Sequence, residues 1–181
     1  MPAVREVLGV DIGGVIIDRA RNDETIASFF DEDYLQTPAI PGAFDALRQL
    51  VKQRFGPNVF LVSRCKRGTP LNKGVLEKTE EWLAYHGFFD YTGINPENVR
   101  FCDQPFQKAG ICREQGITYF VDDRLSVLAH MVSVVPNLFL FRPNMVEVRR
   151  SGRSLYGIQR VNSWQEVLKY LLPEGQLAVT G

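Results

Sequence analysis

Short apolar runs alternating with stretches of helical periodicity constrain this chain most. Residues 7–10, 59–62, 99–102, 117–121 and 138–141 are apolar at most positions rather than at every second one. A strand with one wet face alternates, whereas a strand covered on both faces does not. Between these runs the period changes. In residues 42–55, preceded by Pro41, the apolar Phe44, Leu47, Leu50 and Val51 fall at helical spacing. Residues 71–86 predict a helix with Leu76, Trp82 and Leu83 inward, stopped near Gly87. Residues 108–115, closed by Gly116, and 124–131 predict two more. Five buried strands joined by helices imply an α/β domain: a doubly wound, mainly parallel, five-stranded Rossmann-like sheet with helices on both faces. Ser163-Trp164-Gln165-Glu166 predicts a capping box, and the last helix then carries Val167, Leu168, Leu171 and Leu172. Residues 142–157, rich in Arg, Ser and Gly, are expected as a surface loop and residues 174–181 as a loose tail.

Composition narrows the function classes. The 181 residues suit one domain with a real core, and 45% hydrophobic with 23% charged residues excludes a disordered chain. The formal net charge is zero, which argues against a general nucleic-acid binder. No apolar run is long enough to span a membrane. The first ten residues carry Arg5 and Glu6 and no long apolar core, so a secretory signal is not expected and the cytoplasm is the expected compartment. Cys65, Cys102 and Cys112 are odd in number and form no CxxC pair, so reduced thiols are expected.

Polar residues gather just past the apolar runs, where parallel sheets bind their ligands. Asp11 follows the first run, Ser63 the second, and Asp122-Asp123 the fourth. Two carboxylates at close range repel each other, and a divalent cation such as magnesium relieves that repulsion.

Taken in order, these residues resemble the motifs of the haloacid dehalogenase superfamily. Val10-Asp11-Ile12-Gly13-Gly14-Val15-Ile16 resembles its first motif, Leu61-Val62-Ser63 its second, and Tyr119-Phe120-Val121-Asp122-Asp123 its fourth; Lys108 stands where the family places its lysine. The stretch Pro41-Gly42-Ala43-Phe44 with Leu47 resembles the opening of the family's first core helix. Each motif is weak alone, but the four in sequence are specific.

The resemblance implies a magnesium-dependent phosphohydrolase. Asp11 would be the nucleophile and form an aspartyl-phosphate. Ser63 and Lys108 would hold the phosphoryl oxygens, with Gly13, Gly14 and Arg64 lining the substrate site. Magnesium would lie between Asp11, the Gly13 carbonyl, Asp122 and the phosphate; Asp123 would be a further ligand or would orient Lys108. The implied partner is a phosphorylated metabolite, nucleotide or larger substrate.

One departure stands out. The family's hydrolases carry a second Asp two residues after the nucleophile, as acid and then base. Here that position is Gly13. A placed proton donor contributes about 10²–10⁴-fold in rate. Either the substrate has a good leaving group, or another acid such as Asp18 or Asp33 takes the place, or the protein binds phosphate and magnesium as a regulator without turnover. A receiver-like reading ranks last, because receivers place the acidic pair after the first strand and the lysine after the last. No stretch is long enough for a cap domain, so the site is expected to be open, closed by a second copy of the chain or matched to a large substrate.

Other residues divide between function and packing. Arg64, Lys66 and Arg67 follow Ser63 and read as a basic rim as well as a solvated loop. Those cations would favour a thiolate at Cys65, although a bystander thiol is the simpler reading. Phe29-Phe30 through Tyr34-Leu35 reads first as packing and second as a flap. Arg124 either contacts substrate or pairs with the acids. His86 reads as a helix-end residue and His130 as surface or packing. Arg142, Arg149, Arg150 and Arg153 read as a solvated face.

Overall fold

The computed structural model describes residues 5–19, 29–151 and 156–172. Arg153 and the expected tail at 174–181 lie outside them. Six strands, β1 (Leu8–Val10), β2 (Val59–Arg64), β3 (Val99–Cys102), β4 (Tyr119–Asp122), β5 (Asn137–Phe141) and β6 (Ile158–Val161), form one sheet in the order β3-β2-β1-β4-β5-β6. Every pairing is parallel. This order is that of the Rossmann sheet, not the 2-1-3-4-5 order of receivers. It counts against the receiver reading.

The continuous apolar runs do sort to two faces. Val59 and Leu61 pack into one core while Phe60 and Val62 pack into the other. Phe139 and Phe141 likewise separate from Leu138 and Leu140. The first core takes helices α1 (Ala43–Leu50), α2 (Val75–Tyr85), α3 (Phe88–Thr92) and α7 (Trp164–Leu171); the second takes α4 (Gln107–Gln115) and α5 (Leu125–Leu128). Trp82 and Trp164 are fully buried, and each indole N–H donates to a carbonyl, of Thr37 and Val15 respectively, at 2.8 Å. The second of these bonds ties α7 to the loop after β1.

Several expectations need correction. The sheet has six strands, not five, because β6 lies at an edge and carries exposed Gln159 and Arg160, so it lacks a buried strand's apolar run. Part of the expected loop at 142–157 is a helix, α6 (Met145–Ser151), which holds Arg149 and Arg150. Helix α2 begins at Val75, and Leu71 before it is 91% exposed. The Glu77 carboxylate accepts the N–H groups of Gly68 and Gly74 at 2.9 Å each and sets that start. The Ser163 hydroxyl accepts the Glu166 N–H at 3.2 Å, while Glu166 accepts from Asn162 rather than Ser163.

Candidate active site

Because all the strands run the same way, their carboxyl ends deliver Asp11, Ser63 and Asp122-Asp123 to one edge of the sheet. Asp11 leaves β1 at a tight turn. The Ile12 carbonyl accepts from Ile16 and Ile17 at 2.8 and 3.0 Å, and Gly14 sits in the left-handed region at φ 78°. A Cβ on Gly14 would stand 2.1 Å from Asp123 Oδ2, so the turn has room for glycine alone. Lys108 reaches the site from the second position of α4. The Gln107 side-chain oxygen accepts the N–H groups of Asp103 and Gln104 at 3.0 and 2.9 Å and fixes the approach to that helix.

The base of the site is buried and interlocked. The Ser63 hydroxyl donates to Asp11 Oδ1 at 2.8 Å, and Lys108 Nζ stands 2.9 Å from the same oxygen. Lys108 also donates to Asp122 Oδ2 at 2.7 Å, and Asp122 Oδ1 accepts the Arg124 N–H at 2.9 Å. Asp11, Ser63, Lys108 and Asp122 are all buried. An ammonium this deep persists only with partners. Burial pulls Lys108 down, but Asp11 and Asp122 outweigh it and hold the ammonium above its ordinary value. Lys108 is therefore oriented by Asp122; Asp123, the partner weighed from sequence, makes no such contact.

One oxygen each from Asp11, Asp122 and Asp123 lie within 4.8 Å of one another. Burial, then the neighbouring carboxylate of Asp11, push Asp122 up to about 6. Burial, then Asp11 and Asp122, push Asp123 up to about 7. Asp123 Oδ1 is buried and accepts no hydrogen bond among the described residues. Crowded carboxylates with an orphaned buried oxygen are the donor set a hard divalent cation takes.

Above this base opens a cavity of about 420 Å³. Of the residues singled out from sequence, Asp11, Gly13, Gly14, Ser63, Arg64, Lys108 and Asp123 line it. Lys66 and Arg124 line it too, whereas Arg67 does not and pairs with Glu77 at 3.6 Å. Phe29 and Tyr34 are buried as packing, but Phe30 is 60% exposed and lines the cavity. Neither proposed substitute acid does. Asp18 pairs with Arg142 at 3.9 Å and Asp33 is exposed at the start of a 3-10 turn.

Arg19 also lines the cavity, and the sequence offered no sign of it. It stands eight residues past Asp11, next to charged residues and outside every motif singled out from sequence. The cysteines are chemically quiet: burial raises the thiol of Cys65 despite its cationic neighbours, and pushes Cys102 to about 11 and Cys112 to about 12. His86 ends α2, bonded to the Leu35 carbonyl and stacked on Trp82, and His130 is exposed.

No protein-family model matches the chain, and no curated protein matches it by sequence. Solved structures do. D,D-heptose 1,7-bisphosphate phosphatase from B. bronchiseptica, complexed with magnesium and phosphate, superposes with a TM-score of 0.61 at 14% identity, over 92% of this chain and 98% of that one. The same enzyme from Burkholderia thailandensis gives 0.58 at 14% identity, over 93% and 99%. The chain shares the α/β fold of these two phosphatases. Likeness this distant speaks for the architecture alone, because one fold hosts many chemistries. Among the described residues no helix is long and apolar enough to cross a membrane.

Proposed function

We propose that this haloacid dehalogenase-like chain is a magnesium-dependent phosphohydrolase working through an aspartyl-phosphate at Asp11. The observation that carries the reading is the shared grip on Asp11: a hydroxyl and an ammonium, from two different elements, converge on one carboxylate oxygen. That grip fixes the carboxylate at the floor of the cavity and leaves its second oxygen to attack phosphorus. Ser63 and Lys108 then stand where the phosphoryl oxygens arrive, and their donors neutralise charge during transfer. Asp11, Asp122, Asp123 and the Gly13 carbonyl would hold the magnesium, which when bound neutralises phosphate charge as a Lewis acid. Arg64, Lys66 and Arg124 at the rim would draw in an anionic substrate.

The substrate in this reading is a phosphorylated metabolite or nucleotide, and the open cavity also admits something larger. A regulatory protein that binds phosphate and magnesium without turnover is the second reading, favoured by Gly13. Phosphate release from a panel of phosphorylated metabolites and an aryl phosphate, with magnesium, separates the two. Asp11→Asn is expected to lose turnover by at least about 10⁴-fold while keeping its fold. A variant as active as the wild type removes Asp11 as nucleophile. Wild-type protein that binds magnesium and releases nothing leaves the regulatory reading.

A further inference from the structure

The space beside Gly13 is not empty. A Cβ built on Gly13 would stand 1.5 Å from Nη2, 1.9 Å from Cζ and 2.0 Å from Nε of Arg19. The guanidinium of Arg19 therefore occupies the volume that any side chain at position 13 would need. It lines the same cavity as Asp11, Ser63 and Lys108. Its Cζ lies over the ring of Phe29, 5.2 Å from the centroid, and Phe29 is fully buried. Among the described residues no carboxylate lies within ion-pair distance of it, whereas Lys108 is neutralised twice. A partly buried cation with open hydrogen-bonding capacity, facing a site for anions, is a binding group without its ligand.

We propose that Arg19 is a catalytic residue that binds the leaving-group oxygen and stabilises its negative charge without giving it a proton. The inference rests on the phosphohydrolase reading and narrows its substrate class. A guanidinium stays protonated at any working pH, so it cannot act as general acid. What it can do is hold charge that develops on oxygen. In the first step an Asp11 oxygen bonds to phosphorus, the bond from phosphorus to the leaving oxygen breaks, and the electron pair departs on that oxygen as an anion paired with Arg19. In the second, water bonds to phosphorus, the bond to Asp11 breaks, and the water proton passes to a phosphoryl oxygen of the released phosphate. No step requires a side-chain acid. Such a site takes acyl phosphates, phosphoanhydrides and aryl phosphates, whose oxygens leave readily as anions, and is poor with alkyl phosphate esters.

The test is the dependence of kcat on leaving-group pKa over a series of substituted aryl phosphates, with acetyl phosphate and an alkyl phosphate as the extremes. Wild-type protein with magnesium is compared with Arg19→Ala, Arg19→Lys and the double variant Gly13→Asp with Arg19→Ala. Wild type is expected to lose rate steeply as leaving-group pKa rises. Arg19→Ala should lower kcat about 10²–10³-fold, as removal of one charge-stabilising donor does elsewhere. Arg19→Lys should recover part of that loss. The double variant, with an acid in the vacated space, should show a flatter dependence and gain on the alkyl ester. A steep dependence that is unchanged in Arg19→Ala, or no dependence in the wild type, overturns the role of Arg19 while Asp11→Asn still reports on the phosphohydrolase. Release from no compound at all, acetyl phosphate included, removes the phosphohydrolase reading itself.

Discussion

The floor and the rim of the site solve opposite electrostatic problems. On the floor, Lys108 lies between Asp11 and Asp122, Ser63 adds a hydroxyl, and all four are buried. At the rim, Arg19, Arg64, Lys66 and Arg124 border the cavity, and none pairs with a carboxylate among the described residues. A buried charge must be matched when the chain folds, because its desolvation is severe. A rim charge stays partly hydrated and can wait for a ligand. The floor is thus coupled to stability and the rim to recognition, and substitutions should separate the two.

The largest effect is expected from Lys108→Met. It leaves Asp11 and Asp122 facing each other without their cation, which should cost about 3–5 kcal/mol and abolish turnover; chemical denaturation measures the first and phosphate release the second. Arg64→Ala at the rim is expected to leave the denaturation midpoint unchanged, and a loss as large as that of Lys108→Met would erase the contrast.

Next comes metal binding to the floor. Asp122 and Asp123 are raised to about 6 and about 7, so the metal-free folded protein holds protons more tightly than the unfolded chain. This contribution favours folding at low pH and turns against it as pH rises from the ordinary carboxylate range through those values. Magnesium replaces the protons, so the gain in Tm on adding it should be larger at pH 8 than at pH 5.5. At a hundredfold excess over Kd the stabilisation is about 2.7 kcal/mol. A gain independent of pH would mean the metal binds elsewhere.

Gly14→Ala should sharpen the role of the turn. The added methyl meets Asp123 and a left-handed backbone, at a cost of about 1–3 kcal/mol. It should also weaken magnesium binding, read by calorimetry. The smallest effect lies away from the site. The Arg54 guanidinium beside Glu6, 2.7 Å away, holds that carboxyl below its ordinary value despite partial burial. Stability from this half-exposed pair is present above the ordinary carboxylate range and is lost as pH falls through the lowered value. Glu6→Gln should therefore cost less than about 1 kcal/mol at pH 7 and nothing at low pH.

Much of the fold was legible because burial on both faces writes itself into consecutive residues. Residues 59–62 and 138–141 could not be anything but covered strands in an alternating chain. The sixth strand was hidden because an edge strand with Gln159 and Arg160 facing out has no such signature. On the site, Asp11, Ser63 and Asp122 were legible because strand ends in a parallel sheet converge, whereas Lys108, on a helix, was legible only through the resemblance to a known family's motifs. Asp18 and Asp33 looked equally available as replacement acids, since nothing local says that one pairs with Arg142 and the other faces outward.

The sequence by itself therefore determined the alternation of strand and helix, the acids and hydroxyl at the strand ends, and the missing side chain at position 13. Only the tertiary structure decided that Asp122 rather than its neighbour holds Lys108, that Asp123 keeps an oxygen without a partner among the described residues, and that Arg19 fills the space beside Gly13. The reason is physical. Local periodicity reports which face of an element is buried, whereas the partner of a buried charge and the occupant of a void depend on elements that meet only when the chain has folded.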